Sequence, residues 1–206
     1  MKLIVITSPN EVEREVEKIT ALFEEGLELL HVRKPELDST SFENLLKTIP
    51  SKYVKKIVIH SHFKLIEKYN LKGVHLTGTY KSQVGEDSLA ELFKTAKKRR
   101  ISISTSFHSL EELLVNKWKY DYVFLSPIFD SISKRDYPSS FTMLELKEAL
   151  ECYNGYSEII ALGGIDENNL SVVVEMGFFG AAFLGAIWNG EDVVRKFRFI
   201  KKISEV

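Results

Sequence analysis

The chain has 206 residues, of which 44% are hydrophobic and 28% are charged, and its formal net charge is −1. A chain of this length and hydrophobicity can bury one substantial core, so we expect a single domain over residues 1–206. The balanced charge excludes the strongly basic surface with which proteins bind nucleic acids or anionic membranes.

Membrane insertion, secretion and disulfide bonding are also disfavoured. No hydrophobic run reaches the roughly 18 residues of a membrane-spanning helix, and residues 1–15 turn acidic too soon for a secretory signal. Cys152 is the single cysteine, which excludes an intramolecular disulfide and a cysteine-rich metal site. These features predict a soluble, cytoplasmic protein.

Short hydrophobic runs alternate with amphipathic segments along the whole chain. The runs predict eight strands, KLIVITS, LELLHVR, KIVIHS, GVHLTG, ISISTS, YVFLSPI, EIIALGG and AAFLGA. Because these runs are hydrophobic throughout, they suit parallel strands that are buried on both faces. Segments such as EVEREVEKITALFEEG and TMLELKEALECYN carry hydrophobic residues at helical spacing. Ser109 with Glu112, and Asp166 before ENNLSVVVEMG, are helix-start signals.

Two α/β folds produce this alternation, the doubly wound sheet and the (β/α)8 barrel. Eight units in about 200 residues favour the barrel, at the short end of its size range. No glycine-rich dinucleotide motif follows the first strand, where a nucleotide-binding sheet would carry it. We therefore predict an α/β protein with a single (β/α)8 TIM barrel.

Polar side chains collect at the carboxyl ends of the predicted strands, where TIM barrels carry their active sites. The chain has five histidines, and each lies at such an end or one strand step before it. The residues concerned are His31 and Arg33 on the second strand, His60, Ser61 and His62 on the third, His75 on the fourth, Thr105 and His108 on the fifth, and Ser126 on the sixth. An imidazole that titrates near neutral pH suits proton transfer at such a rim.

Several of these histidines have a structural alternative. His75, flanked by hydrophobic residues, is typical of a hydrogen-bonded residue inside the barrel. His62 suits the start of the next helix, and His108 suits the cap of the helix after the fifth strand. A catalytic metal such as zinc, bound by several of the rim histidines, is a further alternative. His60 and His62 are two residues apart and would point the same way.

Small residues mark the ends of the last two predicted strands. IIALGGIDENNL places Gly163 and Gly164 directly before a predicted helix, and FLGAIWNGED places Gly185 and Ala186 at the corresponding position. Backbone N–H groups can approach an anion closely at such turns, and this part of a TIM barrel often binds phosphate. The alternative is that the glycines only relieve crowding. The two turns together predict a phosphate site.

Six motifs resemble, in order and spacing, those of the thiamine phosphate synthase and thiazole tautomerase (TenI-like) family. They are ELLHVRKPEL, KGVHL, STSFHSLEE, YVFLSPIFDSISK, IIALGGIDENN and GFFGAAFLGAIW. The resemblance spans nearly the entire chain. It implies a TIM barrel, a role in thiamine biosynthesis and a small phosphorylated thiazole as the substrate.

The synthases of this family join a pyrimidine diphosphate to a thiazole phosphate and release pyrophosphate. Two aspartates hold the Mg²⁺ ion that carries the leaving group, and an arginine and two lysines assist. Arg33 and Lys134 match that arginine and one of the lysines. Pro35 stands where the other lysine belongs, with Lys34 beside it, and His31 replaces a glutamine.

Both magnesium ligands are missing from the matching positions. His60 and Ser61 stand where the family has an Asn-Asp pair, and HLTGTY offers no second carboxylate. Magnesium prefers oxygen ligands, so imidazoles do not restore the site. Other carboxylates lie in nearby loops, at Glu36, Asp38, Asp130 and Asp136. The resemblance therefore implies no metal and no cofactor here, with Mg²⁺ expected only if the chain acts as a synthase.

The tautomerase branch keeps the barrel and the thiazole-phosphate site but lacks the magnesium ligands. A histidine after the fifth strand acts there as the acid and base of a proton transfer, and His108 matches it. Our leading hypothesis is a thiazole tautomerase. The strand ends and the resemblance together predict three groups of site residues. We predict His108, Lys134 and Arg33 as catalytic, His31, His60, Thr105 and Ser126 as substrate-binding, and Gly163, Gly164, Gly185 and Ala186 as phosphate-binding.

Two other functions stay open at this point. One is thiamine phosphate synthase with a remodelled leaving-group site, and the other is a sensor or carrier that keeps the phosphate pocket without catalysis. A homo-oligomer is also compatible with the sequence, since barrel helices pack on solvent or on a partner with similar patterns.

Overall fold

The computed structural model describes residues 1–130, 141–190 and 192–205. The strands are β1 (Lys2–Ile6), β2 (Leu29–Val32), β3 (Ile57–Ile59), β4 (Gly73–Leu76), β5 (Ser102–Phe107), β6 (Tyr122–Leu125), β7 (Glu158–Leu162) and β8 (Gly180–Phe183). The α-helices are α1 (Glu15–Glu24), α2 (Ser39–Thr48), α3 (Ser51–Val54), α4 (Gly78–Arg99), α5 (Leu110–Leu114), α6 (Met143–Cys152), α7 (Leu170–Glu175), α8 (Gly185–Trp188) and α9 (Val193–Ser204). A 3₁₀ helix covers Phe63–Glu67.

The strands form one closed parallel sheet. Each strand pairs with the next along the chain, and β8 pairs with β1. Val5 of β1, for example, lies beside Leu30 of β2 on one side and Phe183 of β8 on the other. The predicted (β/α)8 TIM barrel is confirmed.

Both faces of the sheet are buried, which explains why the strands are hydrophobic throughout. Side chains that point outward, such as Val5 and Leu30, pack under the helices with Ile19 of α1 and Phe197 of α9. The hydrophobic side chains that point inward and fill the barrel are Ile4, Ile6, Leu29, Val58, Tyr122, Phe124, Ile160 and Ala182. Because successive residues of a strand alternate between the two faces, His31, two residues after Leu29, points into the barrel.

One of the two predicted helix starts lies where the sequence indicated. The Ser109 hydroxyl accepts a hydrogen bond from the backbone N–H of Glu112 at 3.1 Å and caps α5. The other prediction is wrong by one helical turn, because α7 begins at Leu170. The Asp166 carboxylate instead accepts a hydrogen bond from the backbone N–H of Asn168 at 2.8 Å and stabilises a turn before the helix.

Candidate active site at the carboxyl end of the barrel

Three of the histidines come together inside the barrel. His31 lies on β2, His60 directly after β3 and His75 on β4, and one ring nitrogen of each lies within 4.8 Å of the others. The strand register explains this arrangement. His31 is paired with Val58, two residues before His60, and Val58 is paired with Gly73, two residues before His75. The cluster thus unites two predicted site residues, His31 and His60, with a histidine that the sequence favoured as structural.

Hydrogen bonds link this cluster to the barrel interior. Nδ1 of His31 lies 2.9 Å from Nε2 of His60, and Nε2 of His31 lies 2.6 Å from the Tyr122 hydroxyl. The His60 ring stacks on the His75 ring with 4.3 Å between the centroids and 21° between the planes. Burial lowers the pKa values of His31 and His60 well below the usual range, and the neighbouring His75 lowers both further.

The His75 ring is held between two serines of β5. Its Nδ1 lies 3.0 Å from the Ser104 hydroxyl and its Nε2 lies 3.1 Å from the Ser106 hydroxyl. Burial lowers the pKa of His75 to about 3, and the charges of Lys81 and Arg33 contribute to the shift. All three clustered imidazoles are therefore neutral at pH 7.

His108 lies apart from this cluster, on the exposed loop between β5 and α5. Its Nδ1 lies 2.9 Å from the backbone carbonyl oxygen of Ser126, and its backbone N–H donates to the Glu112 carboxylate at 2.7 Å. Because a carbonyl can only accept, Nδ1 carries the hydrogen and Nε2 of the neutral ring keeps its lone pair. The alternative that His108 caps α5 does not hold, because the cap is Ser109.

Two cations stand near the cluster. Arg33 follows β2, and its charge contributes to the lowered pKa values of His60 and His75. Lys81, in the first turns of α4, has its Nζ 5.2 Å from the centre of the Phe107 ring. Burial lowers the pKa of Lys81. This part of the rim therefore favours anionic groups of a ligand.

Two polar residues beside the cluster point elsewhere. The His62 backbone adopts a left-handed conformation with φ of 54°, and its Nε2 lies 3.0 Å from the carbonyl oxygen of Leu37. His62 therefore does not share a metal site with His60, and the metal-site alternative is left to the other clustered histidines. The Lys34 ammonium pairs with the buried Glu15 carboxylate at 2.8 Å, so it does not replace the lysine missing at position 35.

The four predicted phosphate-binding residues follow two paired strands. Leu162 of β7 lies beside Ala182 of β8, so the turns at Gly163–Gly164 and Gly185–Ala186 are neighbours at one end of the barrel. Among the described residues, the backbone N–H groups of these four residues find no hydrogen-bond acceptor. They are thus available to an anion, as the phosphate prediction requires.

Crowding also requires glycine at one of these turns. A Cβ atom on Gly164, whose φ is 66°, would lie 2.3 Å from the Asp130 carbonyl oxygen and 2.6 Å from the Phe129 carbonyl carbon. The structural alternative for this glycine therefore holds whether or not phosphate binds. The two explanations are compatible.

The remaining predicted site residues have different positions. The Ser126 carbonyl holds His108, as described above. Thr105 is paired with Leu76 and Val123 in the layer under the helices, and its hydroxyl donates to the Leu76 carbonyl at 2.7 Å. Thr105 therefore lies on the opposite face of β5 from the histidine cluster. Lys134 lies outside the described residues.

The donor atoms of this region do not fit magnesium. Within residues 1–130, 141–190 and 192–205, the one group of metal-ligating side chains close enough to share an ion consists of three imidazoles. The Asp38 carboxylate caps α2 by accepting from the Ser41 backbone N–H, and Asp136 lies outside the described residues. Magnesium requires oxygen ligands, which this group of imidazoles does not offer.

Sequence reasoning missed four residues around the cluster. Ser104, Ser106 and Tyr122 contact its imidazoles, and Lys81 shifts the pKa of His75. The alternation along ISISTS could have indicated the serines, since residues 104 and 106 share a face. Which face that is follows only from the pairing with β4.

Comparisons with known proteins agree with the motifs in the sequence. The family model described as thiamine monophosphate synthase (TMP-TENI) matches residues 3–187. The thiamine-phosphate synthase of Desulfitobacterium hafniense is 29% identical over 184 residues, which cover 84% of this chain and 82% of the relative. That of Limosilactobacillus reuteri is 27% identical over 163 residues, covering 77% and 70%.

A solved structure is more similar still. The thiamine phosphate pyrophosphorylase from Bacteroides thetaiotaomicron is 40% identical, with a TM-score of 0.81, and the match covers 100% of this chain and 98% of that one. As for the membrane, no helix among the described residues combines the length and the hydrophobicity that a span requires.

Proposed function

Since this chain belongs to the thiamine monophosphate synthase family, we propose that it binds a thiazole phosphate and moves a proton on the ring, as a thiazole tautomerase. The chain is an enzyme of the thiamine pathway, and the open question is whether it is an isomerase or a transferase. The observation that carries the isomerase proposal is the anchored ring of exposed His108, together with the absence of clustered magnesium ligands among the residues that the structure describes.

His108 has the properties of an acid and base catalyst. Its Nδ1 is anchored to the Ser126 carbonyl at 2.9 Å, which fixes the ring and leaves Nε2 as a proton acceptor. The residue is exposed, so a ligand at the rim can reach it. A positioned imidazole accelerates a proton transfer by typically 10²–10⁴-fold.

The turns after β7 and β8 supply the anchor for the phosphate. The unpaired backbone N–H groups of Gly163, Gly164, Gly185 and Ala186 suit an anion, and a fixed phosphate would hold the thiazole ring in register with a general base. Arg33 and the half-buried His60 are available to the polar substituents of the ring. For Lys134 the catalytic role remains a proposal from the resemblance alone.

The test of this proposal is isomerisation by purified protein. His108→Ala should lower kcat by at least about 10²-fold, because the proton-transfer group is lost, while phosphate affinity stays within a few fold. The matched control is His62→Ala, since His62 also lies on a loop after a strand but turns away from the cluster. A fully active His108→Ala variant would remove His108 from the mechanism.

The second candidate is thiamine phosphate synthase, and the comparisons favour it. The relatives and the similar solved structure are named as synthases or pyrophosphorylases. Against it stands the donor set at the rim, which offers imidazoles where magnesium needs oxygens.

One assay separates the two enzymes. The protein would be mixed with the pyrimidine diphosphate, the thiazole phosphate and Mg²⁺, and thiamine phosphate would be measured. Robust product formation that a chelator abolishes would reject the tautomerase assignment. A cytoplasmic location, one domain over residues 1–206 and a homo-oligomeric state remain predictions beside either function.

A further inference from the structure

The proposed proton transfer does not account for the three clustered histidines. His31, His60 and His75 come from three neighbouring strands, and one ring nitrogen of each lies within 4.8 Å of the others. His108, the proposed acid and base, is not one of them. We propose that the three imidazoles form a binding site for a divalent transition-metal ion, with Zn²⁺ as the ion that suits them best.

The chemistry of the donors selects the metal. Neutral imidazoles bind zinc, nickel, copper and iron, whereas magnesium and calcium require oxygen ligands. The cluster contains no carboxylate. Three histidines with an open fourth position are a known arrangement for zinc. The donor set of this cluster therefore suits a transition-metal ion and not magnesium.

Hydrogen bonds behind the cluster orient the rings as metal ligands require. The Tyr122 hydroxyl lies 2.6 Å from Nε2 of His31, which leaves Nδ1 of that ring for the ion. The Ser104 hydroxyl lies 3.0 Å from Nδ1 of His75 and holds that ring, so His75 would bind the ion through Nε2. That nitrogen lies 3.1 Å from the Ser106 hydroxyl, a contact that it would exchange for the ion. Histidine ligands almost always have such a partner on their second nitrogen, and the partner fixes the tautomer.

His60 provides the third ligand and lies where an ion can enter the cluster from the rim. It follows β3 and is only half-buried, so an ion and its fourth ligand, water or an anionic oxygen, can reach the cluster from the rim. In tetrahedral zinc sites the ligand nitrogens lie about 3.3 Å apart, given Zn–N distances of about 2.0–2.1 Å. Binding of the ion therefore requires the His60 ring to leave its stack on His75.

The experiment uses the untagged full-length protein after treatment with a chelator. Titration calorimetry with Zn²⁺ should give one ion per chain, Co²⁺ should give the visible absorption bands of a tetrahedral site, and Mg²⁺ should give no heat of binding. His60→Ala and His75→Ala should each lower zinc affinity by about 100-fold or more, because even partners behind the ligands contribute about 10–100-fold. Ser104→Ala should lower it by about 10-fold.

His62→Ala is the matched control and should bind zinc like the unaltered protein. The proposal is overturned if the folded protein binds no stoichiometric zinc, or if His60→Ala binds it unchanged, since the ion would then sit elsewhere. Should His75→Ala fail to fold, His60→Ala and the cobalt spectrum of the unaltered protein still decide. These readouts need no turnover, so they can fail separately from the proposed isomerase activity.

Discussion

Gly164 illustrates how one residue can satisfy two requirements. Its φ of 66° lies in the region that favours glycine, and a side chain there would meet the backbone of the loop after β6. The same residue offers a free N–H group at the proposed phosphate site. Stability measurements isolate the first requirement because they need no ligand.

We expect Gly164→Ala to lower the free energy of unfolding by about 2 kcal/mol or more, since backbone strain and overpacking each cost about 1–3 kcal/mol. Gly78→Ala is the matched control, because a Cβ atom on Gly78 meets nothing within 4 Å. Urea denaturation of the two variants measures the difference. Equal stabilities would show that the loop after β6 moves aside without cost.

At the scale of single residues, the sequence indicated the rim but not the direction of each side chain. His31 and His60 were predicted there, and they do join one cluster. The hydrogen-bonded interior position expected of His75 is also what the structure shows, yet its ring is part of the same cluster. Thr105 points to the outer layer because it is one residue out of step with Ser104 and Ser106. Which face of the sheet a side chain points to depends on the register between strands, and the sequence of a single strand does not determine that register.

At the scale of elements, a buried ion pair joins α1 to the segment after β2. The Lys34 ammonium contacts the Glu15 carboxylate at 2.8 Å and the Asn10 carbonyl at 2.8 Å, and the two charged side chains are 6% and 11% exposed. Burial raises the pKa of Glu15, and the hydrogen bond from Lys34 opposes that rise. The pair therefore fixes the start of α1 against the rim of the barrel.

We expect Lys34→Met to lower the free energy of unfolding by about 3–5 kcal/mol, because the Glu15 carboxylate stays buried without its partner. The double variant Lys34→Met, Glu15→Leu should recover most of the loss. Thermal and urea denaturation measure both effects.

The exposed pair of Lys117 and Glu86, also 2.8 Å apart, is the control. Lys117→Met should change the free energy of unfolding by less than about 1 kcal/mol. A Lys34→Met variant with an equally small loss would contradict the assignment of a buried pair.

The elements themselves were largely predictable. The eight runs predicted the eight strands, because strands buried on both faces consist mostly of hydrophobic residues. The strand β5 is the exception, with Ser104 and Thr105 buried on opposite faces. The start of α5 was predicted from Ser109 and Glu112, whose side-chain cap is local. The start of α7 was not, because Asp166 satisfies a turn of its own and Asn169 stands at the helix boundary. The spacing of hydrophobic residues does not show whether the Asp166 side chain caps a helix or stabilises a separate turn.

At the scale of the whole molecule, closure of the barrel buries the imidazoles of His31 and His75 and partly buries that of His60. Folding lowers the pKa of His75 from 6.5 to about 3 and lowers those of His31 and His60 as well. Below pH 6.5 the unfolded chain therefore binds protons that the folded chain does not. The contribution of these neutral imidazoles to the free energy of unfolding is therefore fully present above about pH 7. It is lost progressively as the pH falls toward 3.

For chelator-treated protein, we expect the free energy contributed by His75 to fall by about 2 kcal/mol between pH 7 and pH 5. In the His75→Gln variant, the free energy of unfolding should fall less steeply with falling pH. The slope should be smaller by about 1.4 kcal/mol per pH unit, which corresponds to one proton fewer taken up on unfolding. Urea denaturation at closely spaced pH values measures both slopes. Parallel curves for the two proteins would show that His75 is already protonated in the folded state.

The hydrogen bonds on either side of His31 have a consequence for any ligand that enters the cluster. A neutral imidazole has a single hydrogen, so His31 can donate either to His60 or to Tyr122, and must accept from the other. An ion bound at Nδ1 forces that hydrogen onto Nε2, toward Tyr122. Binding of an ion at the carboxyl end of the barrel would thereby change the hydrogen bond of Tyr122 in the interior, because the hydrogen of His31 moves from Nδ1 to Nε2.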